Sequence, residues 1–260
     1  MDEADLLARM DANYFRSWSL LTAGSAGHEV VEQDGLLLTS GASHSAAFNL
    51  AYFWVSRRPL AERIEEMQAY FERRKRFYLV RFRAGAVPGI EDALAAAGYE
   101  RAGLADIPAM VLTERDLPGP NSELEIVGCR SDADLEAWAK TMTPGYGVSR
   151  ELAASFTNPV RAGVIDYELY LGRIRGEPVA TAGLVMTHGV AGVYLVSTLA
   201  PHRRRGHGEA MTWHAVRRGL ELGARCASLQ PSAMGRALYE RMGFREVGAY
   251  RTYEARRSLV

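Results

Sequence analysis

Lysine is nearly missing from this chain. Lys75 and Lys140 are the only two, so its 31 Lys+Arg residues are almost all arginine. The planar guanidinium of arginine suits bidentate contact with phosphate better than a lysine ammonium does. An excess of either charge is missing too: Asp+Glu also number 31, and the formal net charge is +0. Without a global field, the composition argues against nucleic acid or an anionic membrane as partner. Cysteine is scarce. Cys129 and Cys226 sit in apolar or strand-like surroundings with no metal-ligand spacing, which argues against a disulfide framework and fits a reducing cytoplasm. No apolar run approaches the roughly 20 residues of a membrane-spanning helix. The first residues, MDEADLLARMD, are acidic and amphipathic, unlike the basic and apolar start of a secretory signal. The expectation is a soluble, cytoplasmic protein. What is present is a globular composition, 48% hydrophobic and 24% charged, over 260 residues. That length serves one large domain or two of ordinary size.

Leu6, Leu7, Met10, Tyr14 and Trp18 recur at helical spacing and predict a helix over 2–20. In HEVVEQDGLLLTSG, the triplet Gln33-Asp34-Gly35 marks a hairpin between two apolar runs. A strand at 49–56, a helix at 60–76, a strand at 77–82 and a short helix from Ile90 ended by Gly98 follow. The run DLPGPNS (116–122) has two prolines, a glycine and no periodicity, which places a domain boundary between 118 and 119. Beyond it the pattern restarts: a strand at 124–129, a helix at 135–142 with Ser131 and Asp134 at its N-cap, and strands at 167–174 and 179–187 around Arg175-Gly176-Glu177. A strand at 193–198, a helix at 206–222, a strand at 227–230, a helix at 234–242 and a strand at 244–250 complete the chain. The two halves resemble each other. ALAAAGYERAG closes the first and ALYERMGFREVG the second, with a strand, a long helix and a strand ahead of each.

The strongest local signal is Arg203-Arg204-Arg205-Gly206-His207-Gly208, between a strand and a helix. Glycines allow a tight turn, the amides of a helix start point outward, and the helix dipole and arginines add positive charge. This is an anion site suited to a pyrophosphate. Read as a nucleic-acid contact, the arginine run lacks interleaved aromatics and a wider basic stripe.

Arg203, Gly206 and Gly208 match the Arg/Gln-x-x-Gly-x-Gly/Ala pattern of the GCN5-related N-acetyltransferase (GNAT) family, and Leu238-Tyr239-Glu240-Arg241-Met242-Gly243-Phe244 resembles its later helix and strand. The resemblance covers 124–254 well. It implies an α/β fold, a twisted mixed sheet flanked by helices, whose two central strands splay apart. Reaching 1–118 only through the repeat, it further implies two tandem domains: a degenerate 1–118, and 119–260 as the catalytic domain binding acetyl-CoA as cosubstrate without a metal. Val196, Ser197 and Thr198 would pair with the pantetheine arm. Arg203, Arg204, Arg205, Gly206, His207, Gly208 and Glu209 would hold the pyrophosphate.

The implied reaction is transfer of an acetyl group to a primary amine by direct attack in a ternary complex. Tyr239 takes the family position of a general acid, or else packs on its helix face. Ser232 precedes that helix, as a cap, a contact to the cofactor, or both. Many relatives carry a glutamate as base on the strand 193–198; this strand has none, and Tyr194 stands near that place. His188, just before the strand, is either the base or an exposed loop residue, and water relays also serve in this family. His202, His207 and His214 do not make a metal site. In the first half Arg57 to Arg63 replaces the phosphate loop without a glycine, and Leu94 replaces Tyr239. The acceptor amine is set by loops such as 143–149 and by the first half. A non-catalytic acyl-CoA sensor is the competing class, and the protein is expected to be a monomer or homodimer.

Overall fold

The apolar spacing at the start of the chain does form a helix, α1 (Glu3–Leu21), with Leu6, Met10 and Tyr14 buried. The structure, a computed structural model, describes residues 2–21, 27–41, 49–113, 117–118 and 123–256. After α1 come β1 (Glu29–Gln33), β2 (Leu36–Ser40), β3 (Leu50–Phe53), α2 (Leu60–Arg74), β4 (Leu79–Arg83), α3 (Ile90–Ala96), β5 (Tyr99–Arg101) and β6 (Ile107–Leu112). The second half has β7 (Glu125–Gly128), α4 (Asp132–Tyr146), α5 (Arg150–Ser155), α6 (Asn158–Arg161), β8 (Tyr167–Ile174), β9 (Glu177–Thr187) and β10 (Val190–Thr198). It closes with α7 (His207–Glu221), β11 (Cys226–Leu229), α8 (Arg236–Arg241) and β12 (Arg245–Ala255). The mixed α/β class expected from the sequence is the one observed.

The chain divides into two compact units: 1–24 with 109–247, and 25–108 with 248–260. These differ from the consecutive pieces, 1–118 and 119–260, that the linker composition suggests. The physical reason lies in two segments. The helix α1 packs on β9 and β10, far along the chain. Tyr250 to Tyr253, near the other end, pair with Tyr253↔Val80 through Tyr250↔Arg83 on β4. Part of the expected linker, at 116 and 119–122, lies outside the described residues.

In the smaller unit the strand order is β1-β2-β3-β4-β12, with β5 also on β12. Gly35, at φ +79°, makes the hairpin turn between β1 and β2. The strand β3 is paired along its whole length on both sides: Leu50 to Phe53 match Thr39 to Leu36 on β2 and Leu79 to Phe82 on β4. Ile64, Met67, Tyr70 and Phe71 of α2 cover this sheet together with Leu94 of α3.

In the larger unit the order is β6-β11-β10-β9-β8-β7, with β10 and β11 parallel. Side chains alternate across the sheet, as strand geometry requires. Tyr170, Ala182 and Leu184 meet Met211 and Val216 of α7, while Leu169, Leu171 and Val185 meet Trp138 and Met142 of α4. Ser131 and Asp134 close a capping box at the start of α4, where the sequence places an N-cap. Cys129 and Cys226 are buried and unpaired, and burial pushes their thiols up to about 12 and about 11.

On the α7 side, Arg218 pairs with Glu168 through two guanidinium nitrogens at 3.0–3.3 Å. Burial alone would raise the Glu168 pKa, but hydrogen bonds from Arg218 and Tyr170 overcome it and hold the carboxyl below its usual range. A lowered carboxyl pKa contributes stability above the unfolded value of about 4.3, and that contribution disappears as pH falls through the folded value. The melting-temperature gap between wild type and Glu168→Gln will therefore be constant at pH 6–7 and close below about pH 4, as read by thermal denaturation across pH.

Candidate functional site

Two strands that begin side by side part in the larger unit. The ladder between β10 and β11 covers only Val190–Gly192 against Cys226–Ser228. β10 runs on to Thr198, held by β9 on its other side. Just past the fork β10 carries a bulge: Tyr194 pairs with Gly183 and Ser197 with Thr181, so Leu195 and Val196 both lie opposite Ala182. Leu195 takes a left-handed backbone at φ +57° to make it. Tyr194 and Leu195 consequently pack toward the same face.

A bulge takes backbone groups out of the ladder, and each needs a partner if buried. The Thr181 hydroxyl donates to the Leu195 carbonyl at 2.9 Å, and the Trp138 indole donates to the Ala182 carbonyl at 3.3 Å. The third group is the Leu195 N–H, which the bulge takes out of register with β9 where the end of α4 packs on β10. That helix end lies directly on β10, for a Cβ at Gly145 would fall 1.7 Å from Ser197 Oγ. Among the described residues, Ser197 Oγ, Ser228 Oγ and Gln230 Nε2 are buried without a hydrogen-bond partner. All three lie along the two parting strands or just beyond β11.

At the far end of β10 the chain turns through a short helical segment, Ala200–His202, into the arginine run. Arg203 Nε donates to the Thr198 carbonyl at 3.0 Å, which pins the loop to the strand. Arg204 and Gly206 have φ +59° and +78°, and α7 starts at once. No side chain caps its first turn, so the amides of His207, Gly208 and Glu209 are offered to whatever lies before the helix. A Cβ at Gly208 would stand 3.7 Å from Thr198 Oγ1 and 3.8 Å from Leu238, placing the loop between β10 and α8. Arg204 and Arg205 are exposed, whereas the His207 ring is buried, so His207 faces this site by its backbone. Burial lowers the His207 pKa, with His202 acting in the same direction.

The acetyltransferase (GNAT) family model matches residues 135–244, which span α4, the fork, the loop and α8. That segment is a GNAT domain. Solved structures with the same fold include a GCN5-related N-acetyltransferase from Kribbella flavida, 21% identical over 96% of both chains with a TM-score of 0.74. Another from Sphaerobacter thermophilus is 18% identical, covering 95% of this chain and 86% of that one, with a TM-score of 0.61. A tandem GNAT protein from the clavulanic acid biosynthesis pathway is 14% identical over 96% of both chains, with a TM-score of 0.60. No curated protein sequence matches the chain.

Within the GNAT domain, Tyr239 of α8 is buried, its ring edge-on to Phe244 with centroids 5.9 Å apart. Burial raises its pKa well above that of an ordinary phenol; the nearby Tyr146 adds to this and the Thr212 hydroxyl opposes it. Tyr146 is half exposed as a residue, and burial of its phenol group raises its pKa as well. The end of α4, which carries Tyr146, thus lies on β10, and Tyr239 packs with Val193 and Leu229 of the two parting strands.

Ser232 accepts from the Gly235 amide at 3.2 Å, in the turn just before α8, and a Cβ at Gly235 would touch the Tyr239 ring at 3.0 Å. His188 does not join this group. It sits at φ +56° in the tight turn between β9 and β10, its carbonyl accepting from Arg9 at 3.2 Å. It stands seven positions before Leu195 along the hairpin, roughly 20 Å at about 3.3 Å per residue. Tyr194 turns its phenol to Asn13 of α1, donating at 2.7 Å. Met211 and Trp213 belong to the core beneath α7. Among the described residues no group of three or more His, Cys, Asp or Glu is placed to hold a metal, and no helix is long and apolar enough to cross a membrane.

Sequence reasoning missed Tyr146, Trp138, Thr181 and Asn13. The Gly-Tyr-Gly at 145–147 was a readable sign of close backbone approach, but the bulge partners carry no motif.

Proposed function

We propose that the GNAT domain transfers an acetyl group from acetyl-CoA to a primary amine, by direct attack within a ternary complex. The observation that carries this reading is the convergence of a one-sided strand, an uncapped helix start and a phenol on one fork. Acetyl-CoA supplies the acetyl group already activated as a thioester. The amides from Arg204 to Glu209 and the exposed arginines hold its pyrophosphate. Val196 to Thr198 offer their backbone to the pantetheine arm. The Leu195 N–H takes the thioester oxygen, which places a fixed donor where charge develops. Tyr239 gives a proton toward the sulfur as general acid, and Ser232 holds the turn that carries it.

The incoming amine loses its proton to water, since His188 lies at the wrong end of β10. This arrangement has a pH signature. A raised phenol pKa keeps Tyr239 protonated past the ordinary value of about 10. The kcat/KM for an amine will rise with pH up to the amine's own pKa and show no fall before about pH 10 from loss of the acid. A descending limb near pH 8 would exclude Tyr239 in this state.

One site per chain is proposed, with the smaller unit a degenerate GNAT-like partner. There β3 is paired on both sides to its end, leaving no one-sided stretch. Arg63 fills the loop position, its guanidinium donating to the carbonyls of Gly35 at 3.0 Å and Trp54 at 2.9 Å. Leu94, in place of Tyr239, is buried in the core. Calorimetry will give one acetyl-CoA per chain; two would remove this assignment. A panel of amines, with release of the coenzyme A thiol as readout, tests the activity itself. Tight acetyl-CoA binding with no turnover on any amine would favour the sensor reading.

A further inference from the structure

The N-terminal helix does more than cover the larger unit. Asn13, fully buried on α1, spends its amide nitrogen on four acceptors at the closed end of the β9–β10 hairpin: the Val185 carbonyl at 3.0 Å, the Thr187 hydroxyl at 3.0 Å, the Val190 carbonyl at 3.1 Å and, at longer range, the Thr187 carbonyl at 3.4 Å. These acceptors leave its amide one orientation, with Oδ1 turned to Tyr194. The Tyr194 hydroxyl donates to that oxygen at 2.7 Å. Gly192 makes the contact possible, because a Cβ there would lie 2.1 Å from Asn13 Oδ1 and 2.5 Å from Tyr194 Cε2. Three residues on two distant segments therefore agree on one geometry.

Tyr194 is the residue before Leu195. The Leu195 carbonyl is fixed on its own side by the Thr181 hydroxyl. The peptide between Tyr194 and Leu195 is thus held from both ends: by a side chain tethered to α1, and by a carbonyl tethered to β9. That peptide carries the Leu195 N–H, in the bulge just past the point where β10 and β11 part.

We infer that Asn13 is a positioning residue for acyl transfer: through Tyr194 it fixes the direction of the Leu195 N–H that receives the thioester oxygen. The inference rests on the proposed function. A donor held within a few tenths of an ångström is worth far more to a developing charge than one that must reorganise. Asn13 and Tyr194 touch no substrate. Loss of either leaves the pyrophosphate loop intact while the donor at the acyl end loosens.

The test uses the full chain with Asn13→Ala, Tyr194→Phe, the double variant and Gly192→Ala, each assayed with acetyl-CoA and the best amine of the panel. The expected result is a fall in kcat of about 10-fold or more in every single variant, with KM for acetyl-CoA within about 2-fold of wild type. The double variant should lose no more than the worse single one, because the two residues act as a unit. A merely structural role would lower the melting temperature and leave kcat per folded molecule unchanged, and that result overturns the inference. Tyr194→Phe, which deletes one oxygen, keeps the test open if Asn13→Ala does not fold. Absence of turnover in the wild type would sink the enzymatic reading alone. The ratio of acetyl-CoA to CoA affinity then decides: it should exceed one in wild type and fall to one in Tyr194→Phe, and a wild-type ratio of one overturns the inference.

Discussion

Tyr239→Phe will lower kcat by at least about 100-fold and leave KM for acetyl-CoA within about 2-fold, the range expected when one positioned general acid is removed. The ring stays, so its packing against Phe244 and beneath Gly235 stays. Only the oxygen goes, and with it the one proton placed at the fork by α8. Burial makes this a clean experiment, because a phenol with a raised pKa is fully protonated at neutral pH and has no phenolate fraction to confuse the profile. Steady-state kinetics with a thiol-release assay reads both parameters. If kcat is unchanged, Tyr239 is a packing residue. The Tyr146 hydroxyl, the other phenol at the fork, becomes the acid to test next.

Gly206→Val will weaken acetyl-CoA binding by at least about 100-fold, equivalent to roughly 2.7 kcal/mol. Nothing lies within 4 Å of a Cβ at Gly206, so the effect cannot come from a clash. It comes from φ +78°, a left-handed backbone that a β-branched residue does not adopt. To relieve the strain the chain must rotate the peptides on either side, and these carry the first free amides of α7. Hydrogen bonds from such amides to a charged phosphate are worth roughly 1.5–3 kcal/mol each, so misdirecting two of them accounts for the loss. Isothermal calorimetry measures it, with the melting temperature of the free protein as control. Gly206→Ala, which tolerates the same φ at smaller strain, should fall between wild type and valine. Equal binding by all three would mean that the pyrophosphate lies elsewhere.

How much of this was legible beforehand depends on whether a feature is local. The arginine-glycine loop, the helix N-cap at Ser131 and Asp134 and the hairpin turns at Gly35 and Gly176 are set by residues next to one another, and each was read from the sequence. The strands β5 and β6 were not. Tyr99–Arg101 is three residues long, and Ile107–Leu112 (IPAMVL) holds a proline and lacks alternation, so neither shows a period. The bulge was invisible as well. It depends on Thr181, Trp138 and the end of α4 reaching one short stretch of β10, and no spacing encodes that meeting. His188 was chosen because its chemistry is right and its chain distance short. A strand is straight, however, and short chain distance along it is long distance in space. Tyr194 was noticed as the residue in the place of a base, while its actual partner, Asn13, lies in a helix that the sequence assigned to the other half.

The interleaving of the two units has a consequence for biosynthesis. Asn13 leaves the ribosome long before its partner carbonyl at Val185, which is 172 positions later. The smaller unit waits longer still, since its edge is closed by Tyr250 to Tyr253. Neither unit can complete its sheet until most of the chain has been made. Nascent chains will therefore expose the apolar face of α1 and the open edge of β4 throughout translation, a period when such surfaces invite chaperones or aggregation. For the same reason, cutting the gene at residue 118 will yield two insoluble fragments, each missing a piece of the other's product.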